Sequence, residues 1–166
     1  MSIGYSRLKA RQRLTSWVDL LALSAAFPDQ SWTAHAVGKD RAGPLRALAG
    51  PLDHRAVEWL RELVELRDLG LRQPLPAPIA TAHAWADAHA QELRGDDRSP
   101  THAAARAWVT DPNNSYGITG EDADPAHVRV YGERAAVETL LDAGLATYAW
   151  QIWEPLLLGA ERVAAL

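Results

Sequence analysis

The sequence predicts a helix-rich α+β fold. Several segments repeat apolar residues three and four positions apart, which is the spacing of one helix face. One short segment instead alternates between apolar and polar positions, as a half-buried strand does. The length of 166 residues, with 48% hydrophobic and 23% charged side chains, is typical of an ordinary globular domain. We therefore expect a single domain over residues 1–166.

The first predicted helix covers residues 6–26, with Ser6 as its N-cap. Its apolar stripe consists of Leu14, Trp17, Val18, Leu21 and Ala25. Residues 31–37 alternate and predict a strand. Residues 41–51 carry glycine and proline at both ends, which favours a loop.

Asp53 is placed to cap a second helix, which Gly70 would end in a left-handed conformation. The apolar face of this helix would consist of Val57, Leu60, Leu63 and Val64. Three prolines in residues 73–78 exclude a helix there. The remaining predicted elements are a helix over 81–94, a polar hinge over 95–100, a helix over 101–109, a long loop over 110–125, a short strand or helical turn over 127–131, and helices over 134–143 and 145–158.

Composition restricts the function classes. The chain has no cysteine, which excludes disulfides, thiolate zinc sites and cysteine nucleophiles and fits a reducing cytoplasm. Its first residues form no secretory signal, and no apolar stretch is long enough to span a bilayer. We expect a cytoplasmic protein without a membrane partner. The net charge of −4 argues against wrapping of nucleic acid by the whole surface, but a local basic face remains possible.

A basic cluster on the first helix is the best candidate for DNA binding. Its members are Arg7, Lys9, Arg11 and Arg13. Pairs four apart lie on one helix face, and no acid offsets them before Asp19. Contacts to phosphates would position DNA without reading its sequence. The alternative is a solvated face, or one that pairs with an acidic partner subunit.

The last helix is apolar around much of its girth. Its aromatic residues include Tyr148, Trp150 and Trp153. Such a helix is either buried centrally or docked against another chain, and aromatic anchors dominate subunit interfaces. We therefore predict a subunit interface at these three residues, with burial in the core as the alternative.

The sequence offers weak support for chemistry of its own. Glu121, Asp122 and Asp124 could supply oxygen ligands to a metal, but their spacing does not match a calcium loop, and a cap or turn is the better interpretation. We find no Gly-x-Ser-x-Gly, no phosphate-binding loop with its lysine and no His-Glu-x-x-His. We predict no catalytic residue, no metal site and no cofactor in this chain.

Several segments, in collinear order, resemble one family. They are Leu8-Lys9-Ala10-Arg11-Gln12-Arg13-Leu14 with Trp17-Val18-Asp19-Leu20-Leu21; Gly38-Lys39-Asp40; Leu63 to Pro76 with its Gly70 and its Pro74-Leu75-Pro76 exit; Ala105-Arg106-Ala107-Trp108 followed by Gly120-Glu121-Asp122; and Trp153-Glu154-Pro155-Leu156. Together they are similar to the C-terminal part of RecC, the gamma-subunit family of exodeoxyribonuclease V.

The resemblance implies part of a restriction-endonuclease-like domain of the PD-(D/E)XK type that has lost its catalytic residues. In such folds an Asp and a Glu-x-Lys or Asp-x-Lys hold the metal on adjacent strands. We expect those strands to precede the first helix and to be missing from this chain. The chain itself has no Asp/Glu-x-Lys, because Arg7 precedes Lys9 by two positions and Val37 precedes Lys39. Hydrolysis by that route needs carboxylates that seat the metal.

The resemblance further implies a scaffold in DNA-break repair by recombination. Its partners would be RecB-like and RecD-like subunits, DNA would be met through the assembled complex, and ATP and magnesium would be used by the partner subunits. Two alternatives from other classes remain: a stand-alone protein-binding adaptor, and a metal-dependent enzyme that uses the acidic loop 121–124.

Overall fold

The computed structural model describes residues 8–39, 43–111 and 119–165. The chain divides into two compact units, the first made of residues 1–68 with 155–166 and the second of residues 69–154. Each unit has buried apolar side chains of its own. The single domain over residues 1–166 stays a prediction. Ser6, the predicted N-cap, lies outside the described residues, as do residues 112–118 of the predicted loop 110–125.

The helix-rich α+β class is confirmed. The described residues form α1 (Ala10–Ala26), β1 (Ala34–Lys39), β2 (Pro44–Ala49), α2 (Ala56–Gly70), α3 (Ile79–Glu92), α4 (Pro100–Trp108), α5 (Pro125–Tyr131), α6 (Val137–Asp142), α7 (Leu145–Pro155) and β3 (Glu161–Ala165). A short 3₁₀ turn, Glu121–Ala123, precedes α5, and an irregular turn, Leu156–Ala160, precedes β3.

In the first unit, α1 confirms the first predicted helix, although its buried stripe is shifted. Trp17, Leu20 and Leu21 are buried, whereas Val18 is 38% exposed. Trp17 also packs against Trp59 of α2, with ring centroids 5.7 Å apart. Trp17 and Leu21 are buried as predicted, and the buried face contains Leu20 in place of Val18.

The three strands form one antiparallel sheet in the order β1-β2-β3. Ala36 pairs with Ala47, which pairs with Val163 on its other side. In the next row Val37 pairs with Arg46. Because residues opposite each other project to the same side and neighbours along a strand alternate, the register assigns every side chain to one of two faces.

One face of the sheet is buried or half-buried along β1 and β2 and the other is exposed, while Val163 of β3, on the inner face by the register, is 48% exposed. The inner face carries Ala47 and Ala49, which are 2% and 6% exposed, together with the half-buried Ala34 and Ala36. α1 contacts β1 and β2. The outer face carries the exposed positions of β1 and β2, with Leu48 as a half-buried exception.

Two predictions for this unit were wrong. The predicted loop over residues 41–51 contains β2, because proline is compatible with the first residue of a strand and Pro44 stands there. The end of the chain, predicted to be helical to residue 158, leaves α7 at Pro155 and returns as β3. Leu45 to Ala49 reads as a strand only once β1 and β3 are paired beside it.

Gly50 follows β2 and has to be a glycine. Its φ of 86° lies in the left-handed region, and a Cβ there would stand 2.7 Å from the backbone oxygen of Trp32. The same Cβ would lie 3.2 Å from a methyl group of Leu20. A side chain at this position would therefore separate the end of β2 from α1.

The second predicted helix is confirmed as α2, but its buried face differs. Ala56 and Leu66 are buried, whereas Val57 and Val64 are 44% and 46% exposed. Asp53 accepts a hydrogen bond from the Arg55 backbone N–H at 3.0 Å and so caps the turn before the helix. Gly70 is the last residue of α2 and lies outside the left-handed region, so the predicted role of its conformation was wrong.

In the second unit, α3 and α4 form a helix pair that is packed by alanine. Ala82, Ala86 and Ala90 follow one another at four-residue spacing and are at most 1% exposed, and Ala104 of α4 is fully buried. Small side chains let two helix backbones approach closely. The predicted strand or helical turn over 127–131 is helix α5, and the predicted helix over 134–143 is the shorter α6.

Candidate functional site

The predicted basic cluster does not act as one group in the structure. Arg7 lies outside the described residues. Lys9 is the N-cap residue of α1 and is exposed, and Arg11 is also exposed. Arg13 is half-buried, because its side chain pairs with Glu161 of β3.

The Arg13–Glu161 pair is well shielded from water. The two side chains are 12% and 5% exposed. The guanidinium Nε donates to both carboxylate oxygens at 3.0 Å, and Nη2 makes a further close contact. Arg13 therefore joins α1 to the last strand, whereas Lys9 and Arg11 remain accessible to a ligand.

The acids of the acidic loop accept hydrogen bonds from other segments of the chain. Glu121 accepts hydrogen bonds from the Ala80 and Thr81 backbone N–H groups at 3.0 and 2.8 Å, and from the Thr81 hydroxyl at 2.8 Å. Those N–H groups belong to the first turn of α3, whose N-cap residue Pro78 makes no side-chain cap. Glu121 thus caps, from a distant part of the sequence, a helix that cannot cap itself.

The neighbouring acids have different partners. Asp122 accepts from the backbone N–H of Thr110 at 2.9 Å and from the hydroxyl of the same residue. Asp124 caps α5 through the Ala126 N–H at 2.8 Å. The three carboxylates are used separately, and the described part of the chain holds no cluster of three or more histidines or acids able to bind a metal. The alternative of a metal-dependent enzyme that uses residues 121–124 stays a prediction, and in the structure these three carboxylates each accept hydrogen bonds from a different backbone segment.

The predicted interface on α7 divides into a core residue and two surface residues. Trp153 is 1% exposed, and its ring meets the His83 ring edge-on at 4.6 Å. Tyr148 and Trp150 are half-buried. Trp153 is thus part of the core of the second unit, and the interface prediction depends on Tyr148 and Trp150.

Two histidines of α3 make ring contacts with two tryptophans of α7. His83 meets Trp153, and His89 meets Trp150 edge-on at 4.7 Å. The His89 ring also lies 4.9 Å from Trp85, and its Nδ1 is 3.0 Å from a Glu92 oxygen. The six-residue separation of the two histidines gave no sequence signal for this arrangement, because the packing of α3 against α7 is needed to find it.

A second aromatic cluster surrounds Trp108 at the end of α4. Its Nε1 donates to the backbone oxygen of Ala135 at 2.6 Å, and its ring lies 5.6 Å from His127 and 6.0 Å from Tyr131. The Tyr131 hydroxyl donates to the Leu75 carbonyl at 3.2 Å, and burial raises the pKa of this hydroxyl.

Two comparisons decide the family. Residues 1–90 match the model of the RecC C-terminal domain. The chain is 36% identical, over 98% of its length, to the RecBCD enzyme subunit RecC of Mycolicibacterium smegmatis. The chain belongs to the RecC family. RecBCD enzyme subunit RecC of Mycobacterium tuberculosis is likewise 36% identical over 98% of the chain.

This RecC-family chain spans only 15% of the length of those relatives. The family model covers its first unit up to α2 and continues through most of α3. The resemblance found in the sequence is therefore confirmed. No helix in the described ranges combines the length and the apolar character needed to cross a membrane.

Proposed function

We propose that this chain is a non-catalytic C-terminal domain of a RecC-like subunit of exodeoxyribonuclease V. In this role it would scaffold a helicase–nuclease complex and help guide DNA during double-strand-break repair. One observation carries the proposal: the match to RecC, named a RecBCD enzyme subunit, extends over 98% of the chain.

The absence of catalysis is supported by how the acids are used. Glu121, Asp122 and Asp124 each accept backbone hydrogen bonds from different segments, and the sequence contains no Asp/Glu-x-Lys. A nuclease that works through magnesium needs carboxylates that converge on the ion. We propose accordingly that the domain is a degenerate, partial member of the restriction-endonuclease-like class.

The partners proposed for the domain are RecB-like and RecD-like subunits, with DNA met through the assembled complex. ATP and magnesium would be used by those subunits in the cytoplasm, and this chain would hold no cofactor. For the subunit contact we propose the half-buried Tyr148 and Trp150, since aromatic side chains make strong interface anchors. For DNA we propose Lys9 and Arg11, which are both exposed at the start of α1.

Co-purification with RecB-like and RecD-like subunits of the same organism tests the scaffold role. We expect salt-resistant capture of at least one subunit by the 166-residue chain. The variant Tyr148→Ala with Trp150→Ala is expected to lose capture. Phe27→Ala is the control, because Phe27 is an aromatic residue that is 50% exposed in the other unit.

Failure of a folded chain to capture either subunit would refute the scaffold role and favour the stand-alone adaptor. Capture that is equally weakened by Phe27→Ala and by the α7 variant would refute the interface at Tyr148 and Trp150. Circular dichroism of each variant establishes that the chain is folded. The same complexes, with and without Lys9→Gln and Arg11→Gln, test the DNA contact.

A further inference from the structure

The outer face of the sheet is basic. By the register it carries His35, Val37 and Lys39 of β1, Pro44, Arg46 and Leu48 of β2, and Arg162 and Ala164 of β3. We call these eight residues the outer face. None of them is acidic, in a chain whose net charge is −4. The only acid of the three strands is Glu161, which lies on the inner face and is paired with Arg13.

The cations of the outer face are arranged in a line. Arg46 lies opposite Ala164, and Arg162 lies opposite Leu48, so the two arginines are diagonal neighbours on adjacent strands. On the other side, Lys39 lies opposite Pro44 and is the diagonal neighbour of Arg46. Diagonal neighbours in an antiparallel pair are about 7–8 Å apart. One positive charge from each strand thus forms a diagonal row across the sheet.

The arginines of this row are accessible. Arg46 and Arg162 are exposed, and within the described ranges neither takes part in an ion pair. Like charges this close repel each other in the free protein, and a bound anion would relieve the repulsion. The row therefore lowers the stability of the isolated sheet slightly and favours the binding of a polyanion.

The start of α1 lies beside the end of β1. The Leu8 backbone N–H donates to the Lys39 oxygen at 3.3 Å, which places the beginning of the helix beside the end of β1. Lys9 and Arg11 follow directly and are exposed. Because α1 packs on the inner face, Lys9 and Arg11 form a positive patch of their own near the end of β1, separate from the outer face.

We propose that the outer face binds the sugar–phosphate backbone of DNA, with Arg46 and Arg162 as its central contacts. The inference rests on the proposed function and adds a binding surface that the sequence did not suggest. The outer face contains no tryptophan, tyrosine or phenylalanine, so it lacks both the aromatic platforms that stack bases and the aromatic anchors of protein interfaces. Such a face can still bind the phosphates of DNA through its cations, and phosphate contacts do not depend on the base sequence.

Fluorescence anisotropy tests this surface. The probe is a labelled single strand of 20 nucleotides, titrated with the 166-residue chain between 50 and 200 mM salt. We expect Arg46→Gln with Arg162→Gln to weaken binding roughly tenfold, which corresponds to about 1.4 kcal/mol. The slope of log affinity against log salt should become shallower by about 1.4, because each lost phosphate contact to a single strand contributes about 0.7.

The matched control is Arg61→Gln with Arg106→Gln, which removes the same charge from exposed positions of α2 and α4. We expect it to bind within a factor of two of the parent chain. The variant Arg46→Lys with Arg162→Lys keeps the charge and is expected to keep most of the affinity. Melting curves of all variants separate loss of the fold from loss of contact.

Each remaining outcome is decisive. DNA binding that the Arg46 and Arg162 variant leaves unchanged, or that the control reduces equally, overturns the inference and leaves the proposed function intact. Loss of subunit co-purification in that variant, with DNA binding unchanged, makes the outer face a protein-binding surface and overturns the inference. Failure of the parent chain to bind the strand at 50 mM salt also overturns it, while the scaffold role is judged by co-purification alone.

Discussion

The guanidinium of Arg13 in α1 forms a hydrogen-bonded ion pair with the carboxylate of Glu161 in β3, which lies 148 residues further along the chain. Both side chains are largely buried. The pair fixes the last strand to the helix that covers the inner face of the sheet. Arginine is suited to this position, because its planar fork can donate to both oxygens of a carboxylate at once.

Removing one partner of this pair should destabilise the first unit strongly. Arg13→Ala leaves the Glu161 carboxylate buried without its cation, which costs on the order of 3 kcal/mol. Urea unfolding followed by tryptophan fluorescence measures the change, since Trp17 and Trp59 lie in this unit. The control is Arg67→Ala, which breaks an ion pair with Asp68 whose side chains are 69% and 51% exposed.

The double variant Arg13→Met with Glu161→Leu tests whether the stability lost in Arg13→Ala comes from leaving a carboxylate unpaired. Replacing a buried pair by apolar residues of similar volume is often neutral, so we expect it to be more stable than Arg13→Ala alone. A double variant as unstable as the single one would show that the site tolerates no apolar substitute.

Glu121→Ala should weaken the start of α3. It leaves the Ala80 and Thr81 N–H groups and the buried Thr81 hydroxyl without their acceptor, for a loss of about 1–2 kcal/mol. Thermal unfolding followed by circular dichroism measures it. Glu133→Ala removes an exposed acid of the same unit as the control, and equal melting shifts in the two variants would contradict the capping role.

Gly120→Ala should be severely destabilising. A Cβ at Gly120 would stand 2.3 Å from the Trp108 carbonyl oxygen and 2.6 Å from the Thr110 nitrogen, and backbone atoms cannot move aside as a flexible side chain can. Gly70→Ala is the matched control, because its Cβ would meet only the Leu75 side chain, at 3.3 Å. The measurement is the melting temperature of both variants, and a milder effect at Gly120 than at Gly70 would refute the clash.

Stability should fall at high pH because of Tyr131. Burial raises the pKa of this hydroxyl above the usual value of 10. The contribution is therefore fully present below pH 10, where both states are protonated, and is lost as the pH rises through the folded-state pKa. Unfolding by urea at pH 9 and 11 measures the loss. Tyr131→Phe should reduce the pH dependence, and an unchanged pH dependence in that variant would assign it to another group.

Helices were easier to predict than strands in this chain. The four-residue spacing of Trp17 and Leu21 predicts α1, because a helix repeats its apolar positions among residues that are close in sequence. β2 has six residues, begins at the proline of a Gly43-Pro44 step and is followed by Gly50-Pro51. Its neighbours in the sheet come from residues 34–39 and 161–165. β1 is close in sequence, but β3 comes from the other end of the chain, so the local sequence does not show the pairing on that side of β2.

The basic site was predicted in part for the same reason. Lys9 and Arg11 follow from helix spacing, but Arg13 was assigned to DNA because its partner, Glu161, is remote in sequence. Arg46 and Arg162 were not predicted because they lie far apart in sequence, and only the strand register aligns them. The acidic loop was resolved correctly as a cap, although its target, the start of α3, was not predicted.

The position of β3 also bears on how the protein is made. Residues 69–154 are complete as a unit before the ribosome has synthesised the strand that pairs with β2. Synthesis proceeds at about 5–20 residues per second, so several seconds pass between the synthesis of β2 and that of β3. One edge of β2 stays unpaired during this time. During that interval the edge of β2 is open to pairing with another nascent chain, and the Arg13 side chain is without its carboxylate. Arg46 places a positive charge on β2 while its edge is unpaired, and charged side chains on an edge strand reduce edge-to-edge association.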